Sequence, residues 1–269
     1  MPSYPPVESV VRTLALLEAL NREPIATIAK LHARTQIPKP SIVRLLRTLE
    51  SQGYVKHGAV AGSYLLTSKV RALASGYHSE PRIVEAVAPL LDALTEEVRW
   101  PSALAVPEGG SIVVLYSTIP ASPLSLLHSS INMKLSLVSR ALGRAYLAFC
   151  DADEREVLIK LAAASDEAED RGARDLRTLT DTLELVRRQG YALRDVTVRP
   201  VSRTLAVPVF DARRAVAAIG ITWFASTMKS EEAVERYLEP LLLVAAKARA
   251  ALAARETAVD ATATVTRTD

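Results

Sequence analysis

The sequence predicts an α+β fold in two domains: a small, helical N-terminal one with a β-hairpin, and a larger mixed α/β one with an antiparallel sheet. Length, charge distribution and the order of the periodic segments predict it. With 269 residues, 49% of them apolar and 23% charged, the chain can bury two ordinary cores. Residues 1–75 hold ten Lys and Arg against four Asp and Glu, and the rest hold 23 against 26. The net charge of +3 therefore hides a basic quarter on a slightly acidic body. Helical spacing dominates up to residue 98. Beyond it, strand-like runs recur in pairs joined by turn residues, which makes the sheet antiparallel.

Pro5-Pro6 leads into a helix over about 7–20. Val7, Val10, Val11, Leu14 and Leu17 fall at helical spacing there, and Leu16 and Leu20 widen the stripe. So broad a stripe suits core packing, with a dimer contact as the functional reading. Residues 26–35 form a short amphipathic segment, Gln36-Ile37-Pro38 interrupts it, and 39–52 form a second helix with Ile42, Leu45, Leu46 and Leu49 on one face. Gly53 ends that helix. Residues 54–57 and 63–66 read as two strands around a tip bounded by Gly58 and Gly62. A connector helix spans 67–77. A further helix spans 81–98, with a kink or break expected at Pro89.

Strands at 102–106 and 112–119 are joined by Pro107-Glu108-Gly109-Gly110, and a third is expected at 124–128. Helices at 139–149 and 152–164 follow, then an acidic, mobile loop at 165–175 and a helix over 176–189 that stops at Gly190. Strands at 191–198, 204–210 and 216–224 come next, the last two joined by a turn at 211–214. A helix from 229 to about 255 closes the fold, and the small, polar residues 257–269 read as a disordered tail. The expected domains are 1–67, a linker helix at 68–80, 81–256, and the tail.

The polar face of the 39–52 helix shows Lys39, Ser41, Arg44, Arg47 and Thr48. A helix apolar on one side and basic on the other, followed by a basic hairpin, is what a winged helix-turn-helix needs to enter a DNA major groove. Lys39, Ser41 and Arg44 occupy the half of the helix that approaches base edges. Arg44 suits the bidentate pairing with guanine. Arg47, Lys56 and His57 are placed for phosphates, which position the protein but do not specify sequence. A merely solvated basic face is the plainer alternative; the coincidence of basic helix and basic hairpin favours DNA.

Catalysis has little support. His32, His57, His78 and His128 have no metal-ligand spacing with another His, Cys or Glu, and no nucleophile elbow or Gly-rich phosphate loop occurs. An enzyme is not expected, nor a cofactor or a metal. The single cysteine, Cys150, follows an apolar helix and reads as a small buried hydrophobe; lacking a disulfide partner, it fits a reducing compartment. No signal-peptide pattern opens the chain, and no apolar run reaches the ~18 residues of a membrane span. A cytoplasmic protein without a membrane partner is expected.

Taken in order, Ile37-Pro38-Lys39-Pro40-Ser41-Ile42-Val43-Arg44-Leu45-Leu46, then Leu49, Gly53-Tyr54-Val55 and Tyr64-Leu65-Leu66-Thr67, resemble the winged helix of IclR-type bacterial transcriptional regulators. Ser139 to Phe149 resembles that family's small-residue helix start, and Leu205 to Asp211 its late strand. Trp100-Pro101 and Ala148-Phe149-Cys150 are similar to the branch that activates hydroxyphenylpropionate catabolism. The resemblance runs from about Val7 to Arg255. One departure is Gln36, where the family usually has Gly; Gln tolerates a left-handed backbone poorly, so a differently shaped turn is expected.

The resemblance implies a GAF-like effector domain and a homodimer or homotetramer on double-stranded DNA bearing an inverted repeat. It maps effector contacts onto Leu124, Leu127 and Leu135 as an apolar wall, Ala141 and Leu142 at a helix start, and Arg194, Thr204, Gly220 and Thr222. Free N–H groups at a helix start attract anions. Arg194 stands where relatives often have an acid. Pointing inward it would fork a carboxylate; pointing outward it would be an ordinary strand residue. Trp100 and Trp223 read as core. A small carboxylate, aromatic by this reading, is the expected effector. The alternative is a DNA-binding protein whose second domain only oligomerises.

Overall fold

The computed structural model describes residues 5–23, 25–74, 82–124 and 129–265, with side chains through Ala254. The chain divides into two compact units near residue 80.

In the first unit, α1 (Glu8–Arg22), α2 (Ile28–Thr35) and α3 (Lys39–Ser51) pack beside a small antiparallel sheet. That sheet contains β1 (Ala26–Thr27), β2 (Val55–His57) and β3 (Ser63–Leu66) in the order β1-β3-β2. A short helix, α4 (Val70–Ala74), follows. The apolar stripes meet in one core of Leu16, Leu20, Leu31, Ile42, Leu46, Leu49 and Val55. On α1 the buried line is Leu16, Ala19 and Leu20; Val7, Val10, Val11 and Leu14, expected as core, are exposed. The helix is apolar on two sides, and one small domain can cover only one of them.

Gln36 takes the left-handed conformation, φ 57° and ψ 10°, at the end of α2, so the turn has the shape a glycine would give it. Its Nε2 donates to the Ala33 carbonyl at 2.8 Å, a local bond that offsets part of the backbone strain. The expectation of a differently shaped turn is corrected.

In the second unit, α5 (Arg82–Val98) runs unbroken through Pro89. Pro89 lies on the exposed side, and Val84, Val87, Leu91 and Leu94 form a continuous buried line, so packing holds the helix across the lost hydrogen bond. A six-stranded antiparallel sheet follows: β4 (Ser102–Glu108), β5 (Ser111–Ser117), β6 (Lys134–Ser136), β7 (Ala192–Leu193), β8 (Ser202–Asp211) and β9 (Arg214–Phe224), in the order β6-β5-β4-β9-β8-β7. The strand beside β5 is therefore 134–136. Leu124 lies in a bend, and the rest of the expected strand, 125–128, lies outside the described residues.

Three helices pack on one face of this sheet: α6 (Ala141–Phe149), α7 (Ala152–Ala163) and α8 (Leu176–Gln189). On the other face lie α5 and α9 (Ser230–Val265). Strand alternation divides the side chains. Leu205, Val207, Ile219, Ile221 and Trp223 join the α5/α9 core, while Ala206 and Ala218 join the α6 core. Asp175 caps α8, accepting from the Thr178 N–H at 3.1 Å, and Gly190 ends it at φ 79°.

The segment expected as a mobile loop is instead a 3-10 helix, Ala168–Arg174, with Asp170 and Ala173 buried. A pair of fork-to-fork bonds from Arg140 holds it in place. The α9 backbone continues past Arg255 to Val265, through part of the expected tail, in keeping with the alanines of that stretch. No helix among the described residues is long and apolar enough to cross a membrane.

Candidate functional site

Two basic regions stand out, one in each unit. In the first, the core fixes which face of α3 remains outside. With Ile42, Leu46 and Leu49 inward, Lys39, Arg44, Arg47 and Thr48 are exposed and Ser41 is half-buried. Among the described residues, none of Lys39, Arg44, Arg47 or Lys56 is in an ion pair. In β2, Val55 points inward and Lys56 and His57 outward. His57 has close neighbours of its own: its ring lies 4.5 Å from that of Tyr64, and Nε2 is 3.6 Å from Glu50. A phosphate would have to compete with that carboxylate.

Two features that the residue pattern did not reveal hold α3 in place. His32 Nδ1 lies 2.8 Å from the Ile37 carbonyl, bracing the turn between α2 and α3. Because a carbonyl only accepts, that ring nitrogen carries the proton. At the other end, Lys69 Nζ donates to the Gln52 carbonyl at 2.7 Å and lies 4.8 Å from the Tyr54 ring centre, placing positive charge at the helix C-terminus. Both bonds depend on chain folding back, and no local spacing announces them.

In the second unit, the start of α6 meets the end of the sheet. The first residues of α6 lie close against β6. A Cβ on Gly143 would run into the Ser136 carbonyl and come within 2.9 Å of the Leu137 carbonyl carbon. A Cβ on Gly220 would come within 2.8 Å of the Leu205 carbonyl and 3.2 Å of Leu142 Cδ2. Gly220 thus makes room for Leu142. The α6 N-terminus has no side-chain cap. Just before it, Ser139 is buried, and its hydroxyl has no hydrogen-bond partner. The Ser139 carbonyl accepts from the Asp195 N–H at 2.9 Å, which ties the segment after β7 to the helix start.

Arg194 follows β7, and its N–H donates to the Thr204 carbonyl at 3.2 Å. It is only 6% exposed. One guanidinium nitrogen donates to Ser202 Oγ at 2.8 Å, and Nε has no partner. Thr204 and Thr222 face each other across β8 and β9, their hydroxyls 3.0 Å apart. Burial pushes the Arg194 pKa down to about 10, helped by the nearby charges of Arg140, Arg199 and Arg203 and opposed by Glu169.

Ser202, Thr204, Gly220 and Thr222 lie on the face that packs α6, as strand alternation from Ala206 and Ala218 requires. Ala141, Leu142 and Leu135 belong to that side too. Leu124 does not: it packs with the α5/α9 core, on the opposite face of the sheet, so an apolar wall combining Leu124 with Leu135 is not formed. Leu127 lies outside the described residues.

Two neighbouring pairs neutralise charge here. Arg140 donates to both oxygens of Glu169 at 2.6 Å, and Arg144 donates to Asp195 at 3.0 Å. Cys150 is buried, and loss of hydration pushes its thiol up to about 11, as expected for a packing residue. Trp100 and Trp223 are core, and no group of His, Cys, Asp and Glu among the described residues could hold a metal.

Comparison with known proteins settles the class. The model of the bacterial transcriptional regulator IclR C-terminal domain matches residues 75–250, and that of the IclR helix-turn-helix domain matches residues 9–58. The chain belongs to the IclR family of transcriptional regulators. It is 28% identical over 247 residues to the Pca regulon regulatory protein of Pseudomonas putida, covering 89% of this chain and 81% of that one. The IclR crystal structure from Thermotoga maritima superposes with a TM-score of 0.63 at 19% identity, covering 92% and 99% of the two chains. An IclR homologue from Microbacterium hydrocarbonoxydans, complexed with 4-hydroxybenzoate, superposes with a TM-score of 0.60 at 18% identity, covering 92% and 100%. These likenesses extend over both units, and the chain is a helix-turn-helix regulator rather than an enzyme.

Proposed function

We propose that this regulator senses a small carboxylate, aromatic in character, at the α6 face of its second unit, and that the ligand controls how α3 and the wing engage an operator. The observation that carries the reading is Arg194. A charged guanidinium that is buried with an unused N–H is stabilised by an anion, and a carboxylate matches its fork. The uncapped α6 start and the free Ser139 hydroxyl supply further donors, and Ala141, Leu142 and the Thr204–Thr222 pair supply a mixed apolar and polar surround. That a fold relative was crystallised with 4-hydroxybenzoate supports the class.

At the operator, Lys39, Ser41 and Arg44 read bases, while Arg47, Lys56 and His57 hold phosphates. The protein acts as a homodimer or homotetramer on an inverted repeat. The exposed Val7, Val10, Val11 and Leu14 of α1 serve as one contact between copies.

The test is a thermal-shift series on the full chain with benzoate, 4-hydroxybenzoate and 3-phenylpropionate, paired with operator titration. A ligand at one hundred times its Kd adds about 2.7 kcal/mol of stability. Its effect on DNA affinity equals the effect of DNA on its own affinity. A folded protein that none of the three stabilises would leave two readings: an effector outside this set, or a DNA-binding protein whose second domain only oligomerises.

A further inference from the structure

The outer side of α9 carries an ordered charge pattern that its own fold leaves unused. The helix turns Tyr237, Leu241 and Val244 into the core it shares with α5. Away from that core, Leu242 and Leu243 are 44% and 55% exposed. Two lines of side chains run through them. Glu235, Leu242 and Arg249 are seven residues apart, and Glu239, Leu243 and Lys247 are four apart, so each set keeps to nearly one face of the helix. Both lines read acid, leucine, base, with the leucine at the midpoint. The four charged residues are exposed, and among the described residues none of them is in an ion pair. Glu235 and Glu239 even stand one turn apart, where like charges disfavour the helix. The helix dipole accounts for Glu231 and Glu232 in the first turn, but it fades beyond that turn, and Lys247 and Arg249 lie far from the helix end at Val265.

Resting on the homo-oligomer reading, we infer that α9 forms a second contact between copies, pairing antiparallel with α9 of another copy about a two-fold axis beside Leu242 and Leu243. The symmetry of the pattern carries this. Reversing the helix about its leucines brings Glu235 of one copy to Arg249 of the other and Glu239 to Lys247, while leucine meets leucine. A parallel pair would set acid on acid and base on base. An unrelated helix would have to carry the same charges in reverse order, which a second copy supplies by symmetry alone. Ala246 and Ala250, also exposed, leave room for the two backbones to approach. Because α1 and α9 belong to different units, the two contacts are separate, and together they build a tetramer from two pairs.

The experiment is sedimentation velocity on the full-length protein at micromolar concentration. The wild type should run as a tetramer. Glu235→Lys combined with Glu239→Lys makes all four charges basic and should leave a dimer, with the α9 contact weakened a hundredfold or more. Lys247→Glu combined with Arg249→Glu makes all four acidic and should do the same. Mixed in equal amounts, these two variants complement each other at every pair and should reassemble tetramers, which misfolded protein could not do. The chain carrying all four changes should also regain the tetramer. Leu14→Lys on α1 should leave a dimer held by α9, which the Glu235 and Glu239 changes then split to monomers.

A wild-type oligomer that keeps its size in both charge variants would overturn the α9 contact and leave the α1 contact standing. Variants that dissociate singly but fail to reassemble on mixing would overturn the charge matching that defines it. A wild-type dimer split by the charge variants and not by Leu14→Lys would uphold the α9 contact and overturn that of α1. A monomeric wild type would overturn both.

Discussion

Arginine does two different jobs in the two units, and burial separates them. On α3, Arg44 and Arg47 are exposed and among the described residues pair with no acid. Their charges stay hydrated, and nothing in the fold depends on them. Such charges suit a long polyanion, which gathers many weak, salt-sensitive contacts. In the second unit, Arg194 has lost most of its hydration and has one guanidinium nitrogen unbonded. A charge held that way lowers the stability of the empty protein and strengthens the response to a small anion. In the proposed reading, the exposed arginines serve DNA without bearing on folding, and the buried one serves a ligand while acting against folding.

Substitutions can break that contrast, starting with the largest effect. Gly143→Ala should force α6 away from β6, because the added methyl meets the Ser136 carbonyl and Leu137. Overpacking of this kind costs about 1–3 kcal/mol, and the backbone contact puts it at the upper end. The second unit should lose several degrees of Tm in calorimetry, with the first unit unchanged.

Arg194→Met should abolish carboxylate binding yet leave stability equal or higher, since a buried, poorly matched charge is replaced by apolar volume. A fall of more than about 1 kcal/mol in denaturant unfolding would contradict this, showing that the Ser202 bond outweighs the burial of charge. Above pH 10 the wild-type arginine begins to lose its proton, so ligand affinity should fall there. The sign for stability is the opposite: a pKa lowered by folding penalises the native state at low pH, and that penalty fades as pH rises above about 10.

On α3, Arg44→Ala should cost about 1–3 kcal/mol of operator affinity and relax preference at one base position. Its effect on stability should stay within about 0.5 kcal/mol, as for most surface changes. Lys56→Ala should weaken all sequences alike and lower the salt slope by about 1. If instead Arg44→Ala lowered affinity evenly across sequences, it would belong with the phosphate contacts.

The smallest effect is expected at Gln36→Gly. Relief of a left-handed backbone strain of roughly 1–2 kcal/mol is offset by the entropy of glycine and the lost bond to Ala33. The Tm should rise by a degree or two at most, with DNA affinity unchanged.

Much of this architecture was legible in the residues. α8 spans the predicted 176–189 and stops at Gly190, β3 lies at the predicted 63–66, and Ile42, Leu46 and Leu49 determine the outer face of α3. Local signals of this kind, caps, turns and periodicity, survive without knowledge of the fold. What escaped depends on partners far apart in the chain. Arg140 orders the 3-10 segment through Glu169, 29 residues on, and nothing in either neighbourhood marks the pair. The split of Leu124 from Leu135 arises because a sheet has two faces, and the expected strand at 124–128 gave no means of assigning one. On α1 the periodicity was correct, but two sides were apolar and spacing alone did not say which was the core.

The β8–β9 hairpin has one further consequence, for how the protein can change over time. Its 10-residue strand β8 extends about 30 Å, with Ser202 opposite Phe224 at one end and the 211–214 turn at the other. Insertions at the turn lie a full strand length from Thr204 and Thr222, and should be absorbed without loss. A single inserted residue between Thr204 and Val207 would exchange the two faces. The Thr204 hydroxyl would turn toward α5 and α9, away from that of Thr222. Lineages of this protein can therefore lengthen the tip freely, whereas the base of the hairpin must change by substitution alone.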